Sequence, residues 1–414
     1  MIETKFKQTE LGPIPEDWDV IALNEIGPFS KGLGISRNDS HSGFLPAIRY
    51  GEIYTTHHNY IVKYTSHISK EIADASKQIQ GGEILFTASG ETKEEIGKAV
   101  AAPDGITAYA GGDLIILSPK DGFNSRFLGF ISNSEYSVKQ KSSLGQGDAV
   151  VHISASKLSQ VKIPIPCIQE QEKIAKALSD VDALIREVDV LIEKKIAILQ
   201  GSIQELLSAR HRLPGFDATW KHIIFGNTVN IYRGGSPRPI ENFITSNSNG
   251  LNWIKIGDVR PKDKYIVQTA EKIIPEGLSS TREVHVGDFI LSNSMSFGRP
   301  YILKIDGCIH DGWLAITNYE STFDKDYLYY LLGSDSVYKQ YLSLAAGSGV
   351  LNLNKKLVAA VEFDIPELAE QRAISAILSD MDAEIAELEA KRDKYAAIRQ
   401  GMMQQLLTGK IRLK

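Results

Sequence analysis

Ten polar side chains in loop-like stretches could recognise nucleic acid: Lys31, Arg37, Asn38, Lys93 and Gln146 in the first half, and Arg233, Arg238, Asn293, Ser294 and Arg299 in the second. Lysine and arginine neutralise phosphates; arginine, asparagine and glutamine also match base edges in the major groove. The run Asn293-Ser294-Met295-Ser296-Phe297-Gly298-Arg299 follows a strand-like stretch and aligns with Thr87-Ala88-Ser89-Gly90-Glu91-Thr92-Lys93. Signatures of covalent chemistry are missing. Gly97-Lys98 has Thr92 where a phosphate loop needs its first glycine. No Asp/Asn-Pro-Pro-Tyr/Phe string of an amino-methyltransferase occurs. His57-His58 and His310-Asp311 lack further ligands at metal spacing, so neither a metal nor another cofactor is expected. Cys167 and Cys308 have no catalytic partner nearby in sequence and are expected to be reduced, buried packing residues. Gly234-Gly235-Ser236-Pro237 reads as a tight turn before it reads as an anion cradle. A stand-alone nuclease would need clustered carboxylates with a lysine, and no convincing set stands out. The chain is expected to bind, not to catalyse.

Net charge is −5, and acids equal or exceed bases in every large segment. Any DNA contact must therefore come from local patches, in a protein that grips DNA only with help. A hydrophobic content of 43% and a charged content of 23% fit a globular protein, and 414 residues allow more than one core. No apolar run approaches the roughly 18 residues of a membrane helix. Met1-Ile2-Glu3-Thr4-Lys5 carries no apolar signal core, and two isolated cysteines suit a reducing compartment, so a cytoplasmic location is expected.

The elements that must position these residues repeat. Residues 170–213 and 370–413 share 20 identities in 44 positions, too many for unrelated segments. They include Glu170-Gln171 with Glu370-Gln371, Leu178-Ser179-Asp180 with Leu378-Ser379-Asp380, and Arg212-Leu213 with Arg412-Leu413. Trp18 matches Trp220, Lys31-Gly32 matches Arg233-Gly234, and Ile48-Arg49-Tyr50-Gly51-Glu52-Ile53 matches Ile254-Lys255-Ile256-Gly257-Asp258-Val259. One unit is used twice, and such symmetry suits duplex DNA. From Ile174, apolar residues step by three and four through Leu178, Val181 and Ile185 to Leu206, a heptad seam with one stutter. Ile374, Leu378, Met381 and Ile385 begin the second seam. Each helix is expected to run ~37 residues, about 55 Å, with the two packed antiparallel and the domains at opposite ends. The globular parts read as mixed α and β. Strands are expected at Leu114–Leu117, Ala99–Ala102, Val284–Leu291 and Tyr301–Ile305, and short helices at Phe127–Ile131 and Tyr327–Leu332. The fold expected is α+β: domain 1–166, helix 167–212, domain 213–366, helix 367–414. Gly145-Gln146-Gly147 and Gly347-Ser348-Gly349 fall in matching places and read as loop tips near DNA.

The chain resembles the specificity subunit of a type I restriction–modification system over essentially its whole length. The likeness rests on the order domain, helix, domain, helix. It rests also on Leu11-Gly12-Pro13-Ile14-Pro15-Glu16-Asp17-Trp18, on Ile165-Pro166 with Glu170-Gln171, on Glu370-Gln371-Arg372, and on Gln404-Gln405-Leu406-Leu407-Thr408-Gly409-Lys410-Ile411-Arg412. The resemblance implies a non-catalytic subunit with two target-recognition domains, each reading half of a bipartite site in double-stranded DNA. It implies helices that set the spacer and dock two methyltransferase subunits, with restriction/translocase subunits joining later. A stand-alone nuclease, a coiled-coil scaffold and an RNA-binding protein are the rivals. The scaffold leaves two Trp-bearing domains unexplained, and the RNA binder lacks a recognisable stacking platform.

Overall fold

The computed structural model describes residues 4–260, 262–293, 297–345 and 353–414. The chain divides into two compact units, residues 1–189 with 390–414 and residues 190–389. The division falls inside two continuous helices, Ile168–Leu206 and Leu368–Leu406, of 39 residues each. At ~1.5 Å per residue each is about 58 Å long. Each unit thus holds one globular domain, the start of the helix after it, and the end of the other helix.

In the first unit an antiparallel sheet runs Ala99–Ala101, Ile84–Thr87, Leu114–Leu117, Phe29–Lys31. A second, mixed sheet runs Ser66–Ile68, Leu45–Ile48, Ala108–Ala110, Lys77–Ile79, with its middle pair parallel. Leu114–Leu117 is buried at every residue, which is why it reads as an unbroken apolar run and not as an alternation. The second unit repeats the plan. One sheet runs Asn230–Arg233, Trp313–Thr317, Phe289–Ser292, Pro300–Leu303, Tyr265–Ile266, and the other keeps the parallel pair as Leu251–Ile254 beside Gly307–Ile309. The short helices are Ser125–Ile131 and Lys325–Leu332. Asn124 and Asp324 cap them by accepting from the backbone N–H of Phe127 (2.9 Å) and Tyr327 (3.0 Å). The strand expected over Val284–Leu291 is instead two strands in two sheets, Arg282–Val284 and Phe289–Ser292. Between them the chain turns at Gly287 (φ 100°), and the His285 N–H donates to Asp288 Oδ2 at 2.8 Å.

Within the first unit the helix segments run antiparallel: Glu170 meets Arg412, Asp182 meets Arg399, and Asp189 lies 3.9 Å from Arg392. Within the second, Lys195 meets Glu384 and Arg212 meets Glu370. The ends of the apolar stripes sink into the domain cores. Ile174 and Leu178 are fully buried in one cluster with Trp18, Phe127, Leu406 and Leu407. Ile374 and Leu378 join Leu206, Leu207, Phe225 and Phe363. Val181, Ile185 and Met381 are half-buried, and Ile385 is buried. Cys308 is buried beside Trp253 and Ile273, but Cys167 is exposed, contrary to expectation. Its backbone is the part the fold uses: the Cys167 carbonyl accepts the N–H groups of Glu170 and Gln171, each at 3.0 Å, while the thiol side chain stays in solvent. Among the described residues no helix is long and apolar enough to cross a membrane, and no three His, Cys, Asp or Glu side chains gather to hold a metal.

Candidate functional site

The repeated Glu-Gln pair anchors each domain to its helices. Glu170 is 1% exposed; it accepts from Trp18 Nε1 at 3.2 Å and from Arg412 Nε and Nη2 at 2.7 and 2.6 Å. Arg412 also stacks over Trp18, 5.5 Å from the ring centre. In the second unit Glu370 accepts from Trp220 Nε1 at 3.3 Å and from Arg212 Nε and Nη2 at 2.7 and 2.9 Å. Arg212 lies over Trp220 at 5.7 Å. The neighbouring glutamines bond main chain: Gln171 accepts from Asn124 N–H at 3.0 Å and donates to the Pro166 carbonyl at 2.9 Å. Gln371 accepts from Asp324 N–H and donates to the Pro366 carbonyl, each at 2.9 Å. Burial pushes the Glu170 carboxyl up, but the Arg412 and Trp18 hydrogen bonds outweigh it and hold the group below the usual carboxylate range. Asp17, bonded to Arg412 and Lys414, is held well below that range.

On this anchored frame the two domains present matching loops. Lys31 is exposed at the end of Phe29–Lys31, and Arg233 is exposed at the end of Asn230–Arg233. Each precedes a glycine pressed against backbone. A Cβ on Gly32 would sit 1.9 Å from the Gly111 carbonyl oxygen, and one on Gly234 would sit 2.1 Å from that of His310. Gly32 N–H donates to Leu114 O and Gly234 N–H to Trp313 O, each at 2.9 Å. The exposed cation is thereby fixed to the sheet in both domains, although the side chains beyond the glycine differ.

The remaining candidates divide. Arg37 and Asn38 are exposed on one helical turn, Arg37–Asp39. Lys93 is exposed in the loop between Ser89–Gly90 and Ala99–Ala101. Gln146 is exposed, its backbone paired both ways with His152 at 2.9 and 2.8 Å. Arg238 is exposed, 3.7 Å from Asp311, at a cavity of about 660 Å³ that Trp253, Lys255, Glu271 and His310 also line. Arg299 is exposed, and its N–H donates to Ser292 Oγ at 3.1 Å. Asn293, unlike the others, is buried: it is 3% exposed, and its Nδ2 donates to the Asp311 carbonyl at 2.8 Å. Ser294 and Gly347-Ser348-Gly349 lie outside the described residues.

Two loop-holding residues, Tyr54 and Lys141, escaped sequence reading. Tyr54 Oη bonds Thr87 Oγ1 at 2.7 Å and the carbonyls of Ser89 and Glu95 at 3.0 and 3.3 Å. Lys141, fully buried, donates to the carbonyls of Gly97 and Ser132 at 2.6 and 2.7 Å, and burial pulls its ammonium down to about 7. At the matching place in the second unit stands Tyr341, also fully buried. Gln140 and Gln340 fix this match, each donating to a strand carbonyl (Lys162 at 2.8 Å, Glu362 at 2.9 Å). The arrangement offers exposed cations and amides on fixed loops.

A family model described as type I restriction modification DNA specificity domain matches residues 15–195 and again residues 220–396. The type I restriction enzyme MjaVIII specificity subunit of Methanocaldococcus jannaschii is 24% identical over 441 residues, covering 100% of this chain and 97% of the relative. A chain from a structure on complex assembly and conformational transition of the type I R-M system superposes with TM-score 0.60 at 18% identity, covering 96% of this chain and 99% of that one. The S subunit of a type I restriction-modification system from M. genitalium gives TM-score 0.59 at 15% identity, over 98% and 99% of the two chains. Both structures share the fold.

Proposed function

The chain belongs to the type I restriction–modification DNA specificity domain family, matched once by each of its halves, and from that membership we propose that it is the DNA sequence-specificity subunit of such a system. Each globular domain reads one half of a bipartite site in double-stranded DNA. The long helices set the spacer and dock two methyltransferase subunits, and restriction/translocase subunits join that core. The subunit is non-catalytic and works in the cytoplasm. The observation that carries the reading is the pair of glycine-anchored cationic loops, Lys31-Gly32 and Arg233-Gly234, built alike but continued by different exposed residues. One scaffold with two sets of side chains reads two different sequences, so the site is non-palindromic. The net charge of −5 leaves much of the phosphate neutralisation to partners. The test is methylation sequencing of cells that carry this chain with its methyltransferase subunit. A bipartite, asymmetric motif that vanishes when the chain is deleted is expected. A palindromic motif, or one that persists without the chain, overturns the reading.

A further inference from the structure

Phe44 is 96% exposed, the extreme among the large apolar side chains of the described residues. Exposed apolar residues are common on protein surfaces, but this one stands on a braced loop. Ser36 N–H donates to Asp39 Oδ2 at 2.7 Å, Ser40 Oγ to the Arg37 carbonyl at 2.8 Å, and Ser42 Oγ to the Asp39 carbonyl at 2.8 Å. His67 N–H reaches Ser40 O at 2.9 Å, and Ser69 N–H reaches Ser42 Oγ at 3.0 Å. A Cβ on Gly43 would lie 2.4 Å from the Ile68 carbonyl oxygen, so the loop is pressed against its neighbour strand just before the aromatic. Leu45 then enters the sheet opposite Ile68. Phe44 is held out in water from both sides.

We propose that Phe44 is an apolar wedge that inserts against a base step in the DNA half-site read by the first domain. The proposal rests on the assignment of that domain as a DNA reader. The neighbours of Phe44 decide for DNA over a protein partner. Arg37, Asn38, His41 and Ser42 are exposed and polar, so the aromatic stands among donors, with Leu33 the other strongly exposed large apolar side chain of this stretch. Wedge residues that unstack a base step sit in such surroundings, whereas a protein-docking patch needs contiguous apolar surface. The match of Ile48 with Ile254 puts Gly250 where Phe44 stands. The wedge therefore belongs to the first domain alone and makes the two readings unequal in mechanism as well as in sequence.

The experiment uses the complete complex of this chain with its methyltransferase subunits. The probe is a duplex bearing the motif methylated in the host, with 2-aminopurine placed in turn along each half-site. Wild type is expected to raise the fluorescence at one step of the first half-site. Phe44→Ala should abolish that signal and weaken binding by about 10- to 100-fold, the range of a lost base–aromatic contact. Phe44→Trp should keep both. The dependence of affinity on salt should be the same in Phe44→Ala as in wild type, because no phosphate contact is removed. Phe44→Ala with wild-type affinity and an unchanged 2-aminopurine signal overturns the wedge while leaving the reading role of the domain intact. Wild type that shows no preference for the first half-site overturns both. Loss of methyltransferase binding by Phe44→Ala in the absence of DNA also overturns the wedge, and makes Phe44 a subunit contact.

Discussion

Arg412 donates through Nε and Nη2 to both carboxylate oxygens of Glu170, 242 residues earlier in the chain. Two further guanidinium protons reach Asp17 Oδ1 and Oδ2 at 2.7 and 2.9 Å. Removing the arginine leaves a carboxylate that is 1% exposed with only the Trp18 indole and the Leu413 N–H as donors. Arg412→Ala is expected to destabilise the first unit by about 3–5 kcal/mol, the cost of stranding a buried charge. Arg412→Lys should recover a minor part, since an ammonium cannot form the paired fork or lie flat on the ring. Urea unfolding at neutral pH measures both. Glu170 and Asp17 titrate below their ordinary values in the folded chain. Their stabilisation is therefore complete above the unfolded carboxylate pKa of about 4 and is lost as pH falls below it. In Arg412→Ala that acid loss should be shallower than in wild type.

The helix ends provide a matched pair of substitutions. Ala209 and Gly409, 200 residues apart, both adopt left-handed backbone after a long helix, with φ of 57° and 66°. Alanine is strained there and glycine is not. Ala209→Gly should stabilise the second unit by about 1 kcal/mol. The reverse exchange at Gly409 meets a second obstacle, because a Cβ would lie 2.2 Å from Pro15 Cγ. Gly409→Ala should lower the melting temperature clearly, and Ala209→Gly should raise it. Equal shifts of one sign would show that the two caps are not equivalent.

Lys141 makes stability depend on alkaline pH. Burial pulls its folded pKa down to about 7, against about 10.4 for a free lysine. Between these values the unfolded chain holds the extra proton, so stability must rise with pH. Unfolding free energy should climb from pH 7 towards pH 10 in wild type and lose most of that slope in Lys141→Met. An identical slope in both proteins refutes the role of this lysine.

These contacts also mark how far the sequence was legible. Glu170-Gln171 and Glu370-Gln371 stood out by repetition, as did Trp18 with Trp220 and Arg212 with Arg412. Repetition could not supply that Glu170 closes with Arg412 and Glu370 with Arg212, because each arginine comes after the other helix. The heptad pattern located both helices but read Ile174 and Leu178 as seam alone. Periodicity reports which face is apolar, not whether a helix or a domain core covers it. Val284–Leu291 read as one strand because an apolar count does not register the turn at Gly287. Asn293 and Arg299 looked alike as polar loop residues, and only packing separates the buried one from the exposed one.

That separation gives a specificity test. Arg299→Ala removes an exposed cation from a loop held by Ser292, and should weaken one half-site by about 1–3 kcal/mol while relaxing its sequence preference. The other half-site should be read as before. Asn293→Ala, which deletes the bond to the Asp311 carbonyl, should lower the stability of the second unit as well. Methylation of a library of half-site variants distinguishes them. Equal methylation of every variant by wild type and Arg299→Ala removes Arg299 from base reading.

The helix Ile168–Leu206 runs unbroken through Glu193, an exposed residue where inserted turns meet solvent. Four residues added after Glu193 lengthen the helix by ~6 Å and rotate its C-terminal portion by ~40° beyond a full turn. One added base pair turns DNA by ~35°, at 10–10.5 base pairs per turn, and lengthens it by ~3.4 Å. The rotations nearly agree, and slight DNA bending absorbs the ~2.6 Å difference in rise at modest cost. As the proposed spacing element, the lengthened helix should shift the methylated motif to a spacer one base pair longer, with both half-site sequences unchanged. Three added residues give a net rotation of about −60°, which no single base pair matches, and they break the apolar stripe, so that variant should methylate poorly. Methylation sequencing of cells carrying each insertion reads the outcome directly. An active four-residue variant that keeps the original spacer would show that this helix does not measure distance.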